Sequence, residues 1–154
     1  MINIVVSEKV FIPKLAYLSF NLIAYIGRVI NNMYRRILLL EDDFDTNEII
    51  TMIFEPEGFQ VISSTVDNYL DDIYQWKPEI VIVDYLLSSR ITGSDICIEL
   101  KANEKTAHIP CVLTSAVNNL PEVAKKCCAD RYIEKPFDID NFVSIVRGLL
   151  SSQS

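Results

Sequence analysis

Carboxylates, hydroxyls and an ammonium cluster just past four short apolar runs of this 154-residue chain. Ile37-Leu38-Leu39-Leu40 ends in Glu41-Asp42-Asp43, and Ile80-Val81-Ile82-Val83 ends in Asp84. Cys111-Val112-Leu113 ends in Thr114-Ser115, and Tyr132-Ile133 is followed by Glu134-Lys135-Pro136. Carboxylates gathered at one place repel, and each favours protonation of the others unless a cation intervenes. Hard oxygen ligands with few nitrogen donors suit Mg²⁺, which keeps several waters and takes one or two carboxylates. A hydroxyl and an ammonium beside them are what a phosphoryl group requires, donors for its oxygens and charge to balance it. Asp84 is then the candidate nucleophile, forming an acyl phosphate. The plain alternatives are that Asp84 and Ser115 only cap the next turn or helix and that Glu41 and Asp43 are solvated loop charges.

That chemistry needs the apolar runs to lie side by side. Ile80 to Val83 is apolar on both faces, as in a buried central strand of a parallel sheet. An ionisable residue just past such a strand sits where open α/β sheets bind ligands. Between the runs, helical spacing recurs. Thr46 to Phe54 carries Ile49, Ile50, Ile53 and Phe54, and Val66 to Trp76 carries Val66, Leu70, Ile73 and Tyr74. Gly93 to Lys101 carries Ile96, Ile98 and Leu100, and Leu120 to Cys128 gives a fourth helix. Asp138 caps a last helix with Phe142, Val143, Ile145, Val146, Leu149 and Leu150 as its apolar positions. With Phe59 to Ile62 as a further strand, five strands alternate with five helices. The expected fold is a doubly wound α/β domain, a five-stranded parallel sheet with helices on both faces.

Length allows one such domain with a good core. The net charge of −7 is unevenly spread. Residues 1–34 hold three basic side chains and one acidic, whereas residues 35–154 hold eleven basic and twenty acidic, a balance of −9. So acidic a domain is expected not to bind nucleic acid through phosphate neutralisation, but to attract a divalent cation or a basic partner. Cys97, Cys111, Cys127 and Cys128 contain no Cys-x-x-Cys pair, and His108 is the sole histidine. A zinc site is therefore not expected, and the thiols read as small buried hydrophobes of a reducing compartment.

Residues 1–34 differ from the rest. Leu15 to Gly27 is free of charge but shorter than the roughly 20 apolar residues that span a bilayer. A hydrophobic or amphipathic helix for membrane contact or dimerisation is one reading of this extension. Another is that Met33, just before Tyr34-Arg35-Arg36, is the true translation start.

Leu-Leu-Leu-Glu-Asp-Asp, Val-Ile-Val-Asp, Leu-Thr-Ser-Ala and Tyr-Ile-Glu-Lys-Pro-Phe, in this order and at these separations, resemble the receiver domain of two-component response regulators. The resemblance covers residues 35–150, leaving 151–154 as a frayed tail. It implies the flavodoxin-like strand order 2-1-3-4-5. It also implies Asp84 as phosphoacceptor, Asp42 as a direct Mg²⁺ ligand, Glu41 as a ligand through water, and the Leu86 carbonyl as a further one. Ser115 matches the hydroxyl that contacts the phosphoryl group and Lys135 the lysine that pairs with it. Pro136 matches a proline preceded by a cis bond, and Tyr132 an aromatic that swings inward on activation.

The partners so implied are a histidine kinase or histidine phosphotransfer protein and a downstream protein effector, in the cytoplasm. Only four residues come after the last helix, so output is expected through a protein partner. The alternatives are a Mg²⁺-dependent aspartyl-phosphate phosphohydrolase and a receiver-like scaffold that is never phosphorylated. The first usually wants an acid two residues past the nucleophile, where this chain has Leu86. Two departures from the family pattern bear on loop geometry. The loop after Asp84 lacks a usual proline and runs one residue longer, and Cys127-Cys128-Ala129 replaces a common Ala-Gly-Ala, where glycine would tolerate a left-handed helix end.

Overall fold

The computed structural model describes residues 34–88 and 90–151, together with Leu22, Ile23 and Tyr25. The chain divides into two units, Met1–Tyr34 and Arg35–Ser154. In the first, Leu22, Ile23 and Tyr25 are helical and exposed. The readings of the rest of the extension, including a start at Met33, lie outside the described residues. No described helix is long and apolar enough to cross a membrane.

The second unit runs β1 (Arg35–Leu40), α1 (Phe44–Phe54), β2 (Phe59–Ser64), α2 (Tyr69–Trp76) and β3 (Ile80–Asp84). It continues with α3 (Gly93–Ala102), β4 (Cys111–Ser115), α4 (Leu120–Lys126), β5 (Arg131–Glu134) and α5 (Ile139–Ser151). All strand pairs are parallel, in the order β2-β1-β3-β4-β5. The apolar runs explain the order. Every residue of β3 and β4 is buried, whereas β5 buries only Ile133, so β3 and β4 lie inside and β5 at an edge.

Alternate residues of the strands feed two cores. Leu38, Leu40, Val81, Val83, Cys111 and Leu113 meet Tyr69 and Ile73 of α2, Ile96, Cys97 and Leu100 of α3, and Leu120 and Ala124 of α4. Ile37, Leu39, Ile80, Ile82, Val112 and Ile133 meet Ile50 and Phe54 of α1 and Phe142, Val146 and Leu150 of α5. Phe54 packs edge-on against Phe142 at 4.9 Å between ring centres. Cutting Ile82, fully buried between these layers, to Ala would cost about 2–5 kcal/mol. Cys97, Cys111 and Cys127 are buried free thiols in the first core, and Cys128 is an exposed one.

The helices differ from their periodicity at the margins. Ile49, Tyr74 and Ile98 are exposed, because each sits one step off the buried stripe of its helix. Cys97 takes the inward place expected of Ile98. Val66 lies in a turn before α2, not within it. Asp138 caps α5 as expected, accepting from the Asn141 N–H at 3.0 Å.

Candidate functional site

The parallel register carries the chemistry-bearing residues to one end of the sheet. Asp84 closes β3 opposite Thr114, so Ser115 stands one step beyond it on β4, opposite Glu134 of β5. Glu41 and Asp42 follow β1 directly. Lys135 follows β5 and is tied back to β4 by its N–H, which donates to the Ser115 carbonyl at 2.9 Å. The Lys135–Pro136 bond is cis.

The Lys135 ammonium lies between two buried carboxylates, 2.7 Å from Glu41 Oε2 and 2.9 Å from Asp84 Oδ1. Asp84 Oδ2 accepts from the Leu86 N–H at 3.0 Å, and Glu41 Oε1 from the Asp43 N–H at 3.1 Å. Burial pushes the Glu41 carboxyl above its ordinary range, and the hydrogen bond from Lys135 only partly offsets it. Burial would lower the Lys135 pKa, but its bonds to Glu41 and Asp84 outweigh burial and raise it. The two directions agree with one picture, in which two acids divide one firmly held proton-bearing amine. The Ser115 hydroxyl is buried without a hydrogen-bond partner. A buried hydroxyl in that condition costs about 1–3 kcal/mol, so it is poised for an acceptor brought in from outside.

Glu41, Asp84 and Lys135 thus form one cluster with Ser115 at its side. Asp42 bonds instead to the neighbouring loop. Its carboxylate is exposed and accepts from the Ser88 N–H, in the loop after β3. Among the described residues, no three His, Cys, Asp or Glu side chains close into a metal-holding group, and Lys135 pairs with both Glu41 and Asp84. The donor chemistry nonetheless fits Mg²⁺, with carboxylate oxygens at this edge and neither thiol nor imidazole among them. Tyr132 is 40% exposed on β5 and takes no part in the cluster. Asp43, read as a possible loop charge, is the N-cap of α1. It accepts from the Thr46 hydroxyl and N–H at 2.6 and 2.8 Å, bonds that hold its carboxyl below the usual range.

Gly93 escaped the sequence reading as a site residue, being taken only for a helix start. A Cβ there would lie 2.9 Å from the carbonyl carbon of Asp84 and 3.0 Å from the Cα of Tyr85. A glycine nine residues past a strand-end carboxylate is the one signal that could have found it.

A family model for the response regulator receiver domain matches residues 37–147. RpaA of Synechocystis, named a DNA-binding dual master transcriptional regulator, is 29% identical over 119 residues, 75% of this chain and 48% of that protein. MtrA of Mycobacterium tuberculosis, named a DNA-binding response regulator, is 29% identical over 123 residues, 78% of this chain and 52% of its own length. Among solved structures, the signal receiver domain of a signal transduction histidine kinase from Syntrophus aciditrophicus superposes with a TM-score of 0.70 at 26% identity, covering 77% of this chain and 91% of that one. The chain spans about half the length of the curated relatives it matches. These relatives correct the expectation of no dealings with nucleic acid, because regulators named for DNA binding carry a segment like this one. Phosphate neutralisation is a property of the surface that meets DNA, so the acidity of a segment matching half a regulator does not decide the matter. With the strand order and the family match in agreement, the chain belongs to the response regulator receiver domain family.

Proposed function

We propose that this domain is a cytoplasmic phosphoacceptor switch whose acceptor is Asp84. The observation that carries the reading is the unpartnered Ser115 hydroxyl beside the Lys135–Asp84 pair. A phosphoryl group on Asp84 gives that hydroxyl an acceptor and gives Lys135 a stronger anion to pair with. In the transfer, an Asp84 carboxylate oxygen bonds to phosphorus while the bond from phosphorus to the donor's leaving atom breaks. Lys135 balances the charge on the phosphoryl oxygens, and the Leu86 N–H holds Asp84 in place. A Mg²⁺ held by Asp42, Asp84 and the Leu86 carbonyl, with Glu41 acting through water, would neutralise phosphoryl charge.

Transfer replaces one carboxylate of the cluster with a group of greater negative charge. Lys135 then leaves Glu41 for the phosphoryl group, and Ser115 turns toward it. Tyr132, on the neighbouring strand, moves inward and reshapes the face made by α4 and β5. This is a two-state element biased by one local charge.

Intact mass after incubation with acetyl phosphate, with and without Mg²⁺, on wild type and Asp84→Asn, tests the reading. A single phosphoryl adduct that needs Mg²⁺ and is absent from the variant is expected. An unmodified wild-type chain under every condition would leave the cluster a scaffold.

A further inference from the structure

We propose that the cleft at the amino ends of β3 and β4 binds a small amphiphilic anion, a carboxylate carried on a short apolar body. The cleft holds about 410 Å³ and lies at the end of these strands opposite Asp84 and Ser115, so it is separate from the phosphoryl chemistry. That volume falls in the range of small-molecule sites and suits a body of about a dozen heavy atoms.

Its floor is apolar. Ile73 and Ile109, only 4% and 5% exposed, and the buried Pro78 underlie it, and the half-exposed Tyr74 forms a wall. Its rim is basic. Lys77 closes α2 on one side and Lys105 stands in the α3–β4 link on the other, and neither ammonium forms an ion pair with a described residue. The acid on the rim, Glu79, has its own partner in Arg35 at 3.7 Å. In a domain with twenty acidic and eleven basic side chains, two unneutralised lysines facing one apolar cleft are a local reversal of the overall field.

The walls are already held in place. The Lys77 N–H donates to the Ile73 carbonyl at 2.9 Å, and Lys101 Nζ donates to the Ile109 carbonyl at 2.9 Å while pairing with Asp130 at 2.6 Å. An occupant therefore meets a preformed site and forfeits little to ordering it. A neutral apolar molecule would fill the floor and leave the ammonium groups facing it unpaired. A cation would be repelled, and a bare inorganic anion would leave the floor wet. A carboxylate on an apolar body satisfies both parts.

Amide NMR shifts of the full chain during titration with 4-phenylbutyrate test this. Saturable shifts confined to Ile73–Glu79 and Lys105–Ile109 are expected, with a Kd on the order of 0.1–1 mM. The uncharged isostere 4-phenylbutan-1-ol should bind at least about fivefold more weakly, and the Lys77→Gln/Lys105→Gln variant should lose about tenfold toward the carboxylate. Both lysines are exposed, so the variant should keep the wild-type melting temperature. The alcohol arm needs no variant at all. Equal binding of alcohol and carboxylate, shifts scattered over the surface, or an unchanged Kd in the double variant would each overturn the proposal.

Discussion

Gly93 rests directly on the backbone of Asp84, its N–H donating across the loop to the Tyr85 carbonyl at 3.1 Å. A Cβ at this position would penetrate the Asp84 peptide, whose atoms belong to a fully buried strand and have nowhere to go. The capping box formed by Thr92 and Asp95 pins the same point from the helix side. Gly93→Ala should therefore destabilise the domain by about 1–3 kcal/mol and slow phosphorylation by displacing the acceptor. Urea unfolding and the rate of adduct formation measure the two effects. An unchanged unfolding midpoint would mean the loop yields without cost.

Glu41 sets an unusual pH dependence. Its folded pKa is raised above the ordinary 4.5, chiefly by burial, so between that raised value and 4.5 the folded state binds more protons than the unfolded one. Stability from this group therefore grows as pH falls through the window, the reverse of the common carboxylate pattern. Asp43 and Asp95 act oppositely and lower down. Their folded pKa values lie below 3.8, and their contribution is lost only as pH drops beneath that. Lys135, raised above 10.5, loses its contribution only in strong alkali. Comparing urea unfolding of wild type and Glu41→Gln at pH 7 and pH 5 isolates the first effect. Wild type should gain on the variant at pH 5, and parallel pH profiles would contradict the assignment.

How much of this could be read beforehand depended on whether one local signal decided the outcome. β1, β3 and β4 were legible because strands buried on both faces read as unbroken apolar runs, and parallel pairing brings the polar residues at their ends to one edge. Asp84 and Ser115 stand at strand ends for the same reason, whereas Lys135 follows β5, an edge strand that buries only Ile133. Which acid would meet Lys135 was not legible. Glu41 does so, while Asp42 accepts from the Ser88 N–H in the loop after β3. Ile98 and Cys97 show a second limit, since either could have faced inward and only packing against Cys111, 2.9 Å away between sulfurs, decides for the thiol. The closeness of Gly93 to Asp84 depends on a loop whose path no periodicity encodes.

Cys128 occupies the left-handed region at φ 58, just after the end of α4. A side chain there costs roughly 1–2 kcal/mol relative to glycine, which meets no such clash. Part of that is returned through the greater freedom of glycine in the unfolded chain. Cys128→Gly should then stabilise the domain by about 1 kcal/mol, visible as a higher urea midpoint at unchanged slope. The thiol is exposed, so little packing is lost in exchange. A lower midpoint would show that Cys128 makes a contribution the backbone angle does not reveal.

Ser115→Ala separates a functional hydroxyl from a structural one, because the two roles predict opposite signs. The hydroxyl is buried and unpaired, so its removal should raise the stability of the unphosphorylated domain by about 1 kcal/mol. If the same hydroxyl donates to the phosphoryl group in transfer, its loss should slow adduct formation by about a hundredfold, the usual effect of removing one preorganised donor. The change removes only the hydroxyl oxygen, and the backbone link from the Lys135 N–H to the Ser115 carbonyl is untouched. Any change in rate therefore reports on the hydroxyl itself. Urea unfolding gives the first quantity, and a time course of intact mass with acetyl phosphate and Mg²⁺ gives the second. A variant that is less stable yet phosphorylated at the wild-type rate would make Ser115 a packing residue and remove the observation on which the phosphoacceptor reading rests.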